Sequence, residues 1–264
     1  MASVTQAKRI VVKVGTSTIT HDTGKTNLKI IEQLCRVISD LWNSGKEVIL
    51  VTSGAVGAGL GRAGLSERPQ DNATRQAMAA LGQCELMSLY SRFFGSYGRS
   101  CAQVLLSAED VENDARKENL VNCLSALLDL GIIPVVNEND AVSVRELEGM
   151  SIGDNDNLSA IVSGLISADS LIMLTDIDGL YDKDPREHPD AVRIPVVVEI
   201  TDHIRSIAGG SGSKRGTGGM ATKLSAVERS SANGIDTYIL GGSDPNQLYN
   251  LLDGESVGTH FVPS

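Results

Sequence analysis

Aromatic residues make up only 3% of the chain, and acidic residues outnumber basic ones to leave a formal charge of -10. A nucleic-acid-binding surface usually shows the reverse, a basic groove with aromatic rings on which bases stack. We therefore expect no nucleic-acid partner. A small anionic substrate is compatible with this charge, because a few lysines at a site can outweigh an acidic surface that salt screens.

Long apolar runs are also missing. No segment approaches the roughly 18 uninterrupted apolar residues that span a bilayer, and the N-terminus lacks a signal-peptide pattern. We expect a cytoplasmic protein with no membrane partner.

Metal-binding spacings are absent as well, since the sequence has neither a C-x-x-C pair nor an H-E-x-x-H motif. We predict reduced core cysteines, surface or loop histidines, and no metal held by protein side chains. The residues concerned are Cys35, Cys84, Cys101, Cys123, His21, His188, His203 and His260.

What the chain does have is a regular alternation of short β-branched runs with segments of helical spacing, which is typical of βαβ units on a parallel sheet. We predict an α/β fold, a three-layer α/β/α sandwich with a mostly parallel central sheet, forming one domain over residues 1–264. The predicted strands are Ile10–Val14, Val48–Thr52, Ala102–Leu106, Ile132–Asn137, Leu171–Thr175 and Thr237–Leu240.

Apolar stripes at helical spacing indicate core-facing helices between these strands. One stripe consists of Leu28, Ile31, Leu34, Val37, Ile38 and Leu41, and another of Leu120, Leu124, Leu127 and Leu128. Two segments interrupt the alternation: residues 138–153 predict a hairpin or lid, and residues 208–219 predict a mobile loop leading into a helix.

Ligands of open α/β sheets gather at the carboxyl ends of the strands, so the residues that follow each run are the candidates for function. Lys13 and Gly15 at the first end suit phosphate oxygens, although a lone lysine there could equally extend into solvent. Ser53 and Gly54 open a glycine-rich helix start that favours an anion. The G-x-G-x-x-G match at residues 59–64 lies too far past the strand for a dinucleotide site and predicts close helix packing and a turn.

Two clusters of amides and carboxylates follow, at residues 137–140 and 154–157. They could bind an amino acid, with carboxylates such as Asp140 holding its ammonium group and amides holding its carboxyl groups. Asp and Asn are also common helix caps and turn residues, so capping alone is the simpler alternative.

Two later segments suit a nucleotide. Thr175 and Asp176 end the fifth run, in a turn that could hold a base or ribose. Residues 216–223 lack the Walker A spacing but supply backbone donors and a second lysine, Lys223.

Together, residues 12–17, 53–56, 137–140, 153–156 and 218–223 resemble the amino acid kinase family, in particular its members that phosphorylate glutamate. The resemblance implies transfer of the γ-phosphoryl group of ATP to the γ-carboxylate of L-glutamate, the first step of proline synthesis, with Mg²⁺ carried by ATP. It implies that Lys13 and Lys223 contact the phosphoryl group and that Asp156 holds both lysines.

The resemblance also assigns the two substrate sites. The implied glutamate-binding residues are Ser53, Gly54, Asn137, Asp140, Asp154 and Asn155. The implied ATP-binding residues are Lys13, Gly15, Thr175, Asp176, Thr217, Gly218, Gly219, Met220, Ala221, Thr222 and Lys223.

Further expectations come from the family alone: a homo-oligomer, dimer or tetramer; inhibition by proline; and absence of the C-terminal PUA domain that many members carry. Two alternatives stay open. One is another amino acid kinase, such as one acting on acetylglutamate, and the other is a non-catalytic nucleotide or amino acid sensor on the same fold.

Overall fold

An eight-stranded sheet forms the centre of the protein, as seen in a computed structural model that describes residues 4–21, 23–65, 67, 69–142, 154–209 and 219–263. Its strand order is β3-β4-β2-β1-β5-β9-β10-β8, and a separate two-stranded ribbon pairs β6 with β7. The strands are β1 Arg9–Val14, β2 Glu47–Val51, β3 Cys101–Leu106, β4 Ile133–Glu138, β5 Ser170–Thr175, β6 Leu180–Tyr181, β7 Arg193–Ile194, β8 Val196–Val197, β9 Asp236–Gly241 and β10 Thr259–Phe261.

All pairs in the central sheet are parallel except that of β9 with β10. The six predicted strands are confirmed, each with bounds within about one residue. The sequence prediction missed β6, β7, β8 and β10, which have two or three residues each and are too short for a periodic pattern to stand out.

Helices cover both faces of the sheet. After a 3₁₀ turn at Val4–Gln6, they are α1 Thr16–Ile19, α2 Leu28–Asn43, α3 Ala55–Ala63, α4 Asn72–Ser96, α5 Ala108–Glu112, α6 Asp114–Asp129, α7 Asn155–Leu165, α8 Asp202–Ala208, α9 Met220–Ser231 and α10 Gln247–Leu252. Within the described ranges, none of them combines the length and apolar character needed to cross a membrane.

The two faces bury separate hydrophobic cores. Side chains of α2, α4 and α10 pack with Val12 and Val14 on one face, and those of α6, α7 and α9 pack with Val11 and Met173 on the other. Successive residues of β1 alternate between the two cores because strand side chains alternate in direction. This confirms the three-layer α/β/α sandwich.

Several detailed expectations were wrong. Cys84 and Cys123 are exposed, on the outer sides of α4 and α6, and Leu28 is exposed at the first position of α2. His260 lies in β10, half-buried, where its ring stacks on Tyr238 and pairs with Asp236. Most of the interrupting segments, residues 143–153 and 210–218, lies outside the described residues.

Close contact between α3 and α4 depends on two glycines. A Cβ on Gly59 would lie 1.9 Å from the Met78 carbonyl oxygen, and one on Gly82 would lie 1.8 Å from that of Ala55. Gly64 ends α3 in the left-handed conformation. The glycine pattern at residues 59–64 is therefore used for helix packing and a turn, as predicted.

We predict that Gly82→Ala destabilises the protein by about 2 kcal/mol or more, because the new methyl group must displace the backbone of α3. Gly95→Ala is the matched control: it lies in the same helix, where a Cβ would have no atom within 4 Å, and should be neutral or stabilising by up to about 1 kcal/mol. Urea unfolding of the two variants measures the difference. Equal effects would contradict the packing role of Gly82.

Candidate active site

The candidate site lies at the carboxyl ends of four neighbouring strands, β4, β2, β1 and β5. Asn137 lies near the end of β4, Ser53 follows β2, Lys13 is the penultimate residue of β1, and Thr175 ends β5. The start of α7 adds Asn155 and Asp156. Residues far apart in the sequence therefore meet at one edge because the strands that precede them are adjacent and parallel.

Asp156 is paired with two lysines. Its Oδ1 lies 2.5 Å from Lys13 Nζ, and its Oδ2 lies 3.1 Å from Lys223 Nζ. All three residues are buried, with exposed fractions of 6% for each lysine and 2% for the aspartate. Thr222 Oγ1 lies 3.3 Å from Asp156 Oδ2, although its shorter hydrogen bond, at 2.8 Å, goes to the Gly219 carbonyl.

The direction of each side chain follows from the elements that carry it. Lys13 is two residues after Val11, so it points to the face of the sheet where α7 and α9 pack. Asp156 lies in the first turn of α7, and Lys223 in the first turn of α9. The ends of one strand and two helices thus converge on this carboxylate.

The cluster has a net positive charge. Burial by itself would raise the pKa of Asp156, but the ammonium groups of Lys13 and Lys223 outweigh this effect and lower the pKa to about 2. The carboxylate is therefore ionised at neutral pH and balances one of the two cations. Because an uncompensated buried charge is costly, the second cation favours binding of an anion at this position.

A second cluster consists of neutral polar side chains. Asn155 Nδ2 donates to Ser53 Oγ at 2.9 Å and to Asn137 Oδ1 at 3.1 Å. Asn155 Oδ1 is buried and has no hydrogen-bond partner among the described residues. Since Asn155 and Asp156 are consecutive, the start of α7 joins the polar cluster to the charged one.

The remaining residues of the two predicted polar clusters have different positions. Asp154 is the N-cap of α7, where its Oδ1 accepts from the backbone N–H groups of Asp156 and Asn157, both at 2.9 Å. The capping alternative therefore describes Asp154 but not Asn155 or Asp156. Asp140 is half-buried in the turn that follows β4.

Two glycines shape the strand ends. A Cβ on Gly15 would lie 3.6 Å from Lys13 Nζ, so this glycine leaves space beside the ammonium group. Its N–H already donates to the Leu174 carbonyl at 3.3 Å. Gly54 has a φ of 88° as the N-cap of α3, and a Cβ there would lie 3.0 Å from the side chain of Ile19.

Most of the residues predicted to bind the nucleotide lie at the end of β5 and at the start of α9. Thr175 Oγ1 donates to Asp176 Oδ1 at 3.0 Å, and Asp176 is exposed. Gly219 is the N-cap of α9 and has no side chain with which to cap it. Among the described residues no side chain caps the first N–H groups of α9, which suit an anion. Met220 and Ala221 form this first turn, whereas Thr217 and Gly218 lie outside the described residues.

Two supporting residues on α4, Gln83 and Tyr90, were not among the predicted site residues. Gln83 Oε1 accepts from Asn137 Nδ2 at 2.9 Å, and the Tyr90 hydroxyl hydrogen-bonds Thr52 Oγ1 at 2.7 Å. They are seven residues apart and therefore share one face of the helix. The sequence signal was only a glutamine among apolar residues, and its burial is visible in the structure alone.

Comparison with known proteins identifies the family of this chain. The profile described as the amino acid kinase family matches residues 8–241. The chain belongs to this family.

Three curated relatives of this chain are glutamate 5-kinases. A glutamate 5-kinase of Clostridium perfringens is 54% identical, over 97% of this chain and 96% of the relative. One from Caldanaerobacter subterraneus is 52% identical over 97% of this chain and 68% of the relative, and one from Listeria monocytogenes is 50% identical over 98% and 95%.

Solved structures share the fold. A UMP kinase from Bacillus anthracis has a TM-score of 0.65 at 16% identity, covering 98% of this chain and 97% of the other. An isopentenyl phosphate kinase has a TM-score of 0.64 at 21% identity, covering 96% and 100%. The chain thus shares its overall fold with these two solved kinases.

We predict that the pairing of Asp156 gives a defined acid dependence of stability. Its pKa is lowered from the usual 3.8 to about 2, so its contribution is complete above about pH 4 and is lost as the pH falls through about 2. The difference in unfolding free energy between the wild type and Asp156→Asn should therefore narrow by about 2 kcal/mol over that interval.

Urea unfolding at successive pH values measures this difference. Asp129→Asn, at an exposed position, is the control and should change stability by less than about 0.5 kcal/mol at neutral pH. A difference between the wild type and Asp156→Asn that stays constant from pH 5 to pH 2 would argue against the paired carboxylate.

Proposed function

We propose that this protein transfers the γ-phosphoryl group of ATP to the γ-carboxylate of L-glutamate, forming L-glutamyl 5-phosphate and ADP in the first step of proline biosynthesis. The observation that carries the proposal is the junction at α7, where Asn155 of the polar cluster is followed directly by Asp156 of the two-lysine cluster. Glutamate 5-kinases that are 50% or more identical over nearly the whole chain support the same activity.

The nucleophile needs no general base. A glutamate side chain with a pKa of about 4.3 is already ionised at neutral pH. Its carboxylate oxygen attacks the γ-phosphorus, a new O–P bond forms, and the bond to the β,γ-bridging oxygen breaks as ADP leaves. The residues that we assign to the reaction include no histidine or cysteine, which is consistent with this chemistry.

Electrostatic stabilisation is the main requirement, because two anions must approach each other and charge develops on the transferring group. An ammonium group has three N–H donors, so Lys13 and Lys223 can each contact Asp156 and still donate to phosphoryl oxygens. Asp156 has the role of a positioning residue that holds the two cations at one place despite their mutual repulsion.

The two substrates enter from the two sides of this cluster. We assign Ser53, Asp140 and Asn155 to glutamate, with Gly54, Asn137 and Asp154 shaping that site. The nucleotide would lie along β5 and α9, where Thr175, Asp176 and the start of α9 support its binding, together with Thr217 and Gly218 by family resemblance. The open N–H groups at the start of α9 suit the phosphates.

Mg²⁺ would enter with ATP and neutralise part of the triphosphate charge. Among the described residues, no group of three or more His, Cys, Asp or Glu side chains could hold a metal ion. The Asp156 carboxylate is already engaged by two lysines. Our proposal is that ATP carries this ion and that phosphate oxygens and water supply most of its ligands.

Other properties stay predictions: one domain over residues 1–264, a homo-oligomeric state, inhibition by proline and a cytoplasmic location. None of them is needed for the reaction described here.

Trapping of the acyl phosphate with hydroxylamine tests the activity. With ATP and Mg²⁺, we predict hydroxamate formation from L-glutamate and little from N-acetylglutamate or aspartate. Lys13→Ala and Lys223→Ala should each lower kcat by about a hundredfold or more, as for loss of one preorganised donor. Lys8→Ala, just before the amino end of β1 at the opposite edge of the sheet, is the matched control and should retain activity.

Each other result has a definite meaning. Hydroxamate from N-acetylglutamate alone would favour the acetylglutamate alternative. Nucleotide or amino acid binding without any product would favour the sensor alternative. Near-normal kcat in either lysine variant would contradict the roles given to the pair.

A further inference from the structure

We propose that Gln83 is a positioning residue for the amino acid substrate. It fixes the direction of a row of side-chain amides so that Asn155 Oδ1 accepts a hydrogen bond from the substrate's ammonium group. The inference rests on the proposed function and deepens it, because it says which part of glutamate the polar cluster recognises.

The row begins at the sheet edge and ends at the start of α7. Gln83 Nε2 donates to Gln103 Oε1 at 3.0 Å, and Asn137 Nδ2 donates to Gln83 Oε1 at 2.9 Å. Asn155 Nδ2 then donates to Asn137 Oδ1 at 3.1 Å. Gln83 and Asn137 are buried, with exposed fractions of 7% and 1%, whereas Gln103 is exposed.

The backbone sets the direction of this row. The N–H of Glu138 donates to Asn137 Oδ1 at 2.9 Å, and a backbone N–H can only donate. The oxygen of Asn137 must therefore face Glu138, and its NH₂ group must face Gln83. Gln83 must then accept from Asn137 through Oε1, so its NH₂ group faces Gln103 Oε1.

The same constraint acts on Asn155. Because it meets the oxygen of Asn137, it must present its NH₂ group there, which also reaches Ser53 Oγ at 2.9 Å. Asn155 Oδ1 is then left buried and without a hydrogen-bond partner in the part of the chain that the structure describes. An amide oxygen only accepts, so the missing partner must be a donor.

Glutamate offers one N–H donor group, its α-ammonium, since both carboxylates are ionised at neutral pH. The sequence suggested that amides would hold the substrate's carboxyl groups. The fixed direction of the row instead assigns Asn155 Oδ1 to the ammonium group, alongside the carboxylate of Asp140 that the sequence already suggested for it.

The side-chain amide of Asn137 has three hydrogen-bond partners: the backbone N–H of Glu138, Asn155 Nδ2 and Gln83 Oε1. Substitution of Gln83 removes the last of these. Without the oxygen of Gln83, the buried NH₂ group of Asn137 loses the acceptor it contacts at 2.9 Å, and an unsatisfied buried donor is unfavourable. Asn137 can relieve this cost by rotating its amide or shifting, and either change disturbs Asn155.

The experiment compares Gln83→Met, which keeps the length but removes the strong acceptor, with Gln83→Ala, which removes the amide without adding bulk. Gln83→Glu keeps an acceptor toward Asn137, and the exposed Gln103 can rotate to donate to it. Gln6→Met, in the exposed N-terminal turn, is the matched control for the same chemical change.

Steady-state kinetics with L-glutamate and ATP are measured for each variant, with glutarate, which lacks the ammonium group, as substrate or competitive inhibitor. In Gln83→Met and Gln83→Ala, the KM for glutamate should rise about tenfold while the KM for ATP stays within about twofold. Glutarate binding should change little, so the preference for glutamate over glutarate falls. Gln83→Glu and Gln6→Met should keep the wild-type preference.

An unchanged preference for glutamate over glutarate in the folded Met or Ala variant would overturn the inference, as would a Gln83→Glu variant that loses it equally. A wild-type protein that is folded but forms no product from glutamate would instead remove the proposed function. The two failures are therefore distinguishable.

Discussion

One buried carboxylate organises the candidate site. Asp156 contacts the ammonium groups of Lys13 and Lys223, which come from β1 and α9 and would repel each other if they were brought together alone. The two lysines and one aspartate have a net charge of one positive unit, which favours binding of an anion. The rest of the arrangement follows from the need to bring a second anion, the acceptor carboxylate, next to that position.

The fold meets this need by using both faces of the sheet. Lys13 points to the face covered by α7 and α9, while Asn137 shares the direction of Val135 and points to the face covered by α4. The start of α7 is where the two sides meet, since Asn155 reaches Asn137 and Asp156 reaches Lys13. The charged cluster and the neutral polar cluster are thereby joined through two consecutive residues, Asn155 and Asp156.

Much of this could be predicted from the sequence, because buried parallel strands have continuous apolar runs and their ends show polar residues. The pairing of Asp156 with both lysines came only from family resemblance, since spacing cannot reveal which helix start faces which strand. Helix α4 was not predicted at all: Gly82 and Gln83 occupy buried positions and interrupt its apolar pattern. The capping role of Asp154 rests on local hydrogen bonds and matches the capping alternative that the sequence offered. The orientation of Asn155 depends instead on contacts with Ser53 and Asn137, which only three-dimensional packing brings near.

We propose that the ammonium groups of Lys13 and Lys223 act on the same migrating phosphoryl group. A crystal structure with ADP, aluminium fluoride and L-glutamate tests it most directly, because the fluoride complex imitates the transferring group. We predict Lys13 Nζ and Lys223 Nζ within about 3 Å of its fluorine atoms, with Asp156 still between them. Either ammonium group in a separate pocket, with no contact to the fluoride complex, would show that the two lysines do not act together.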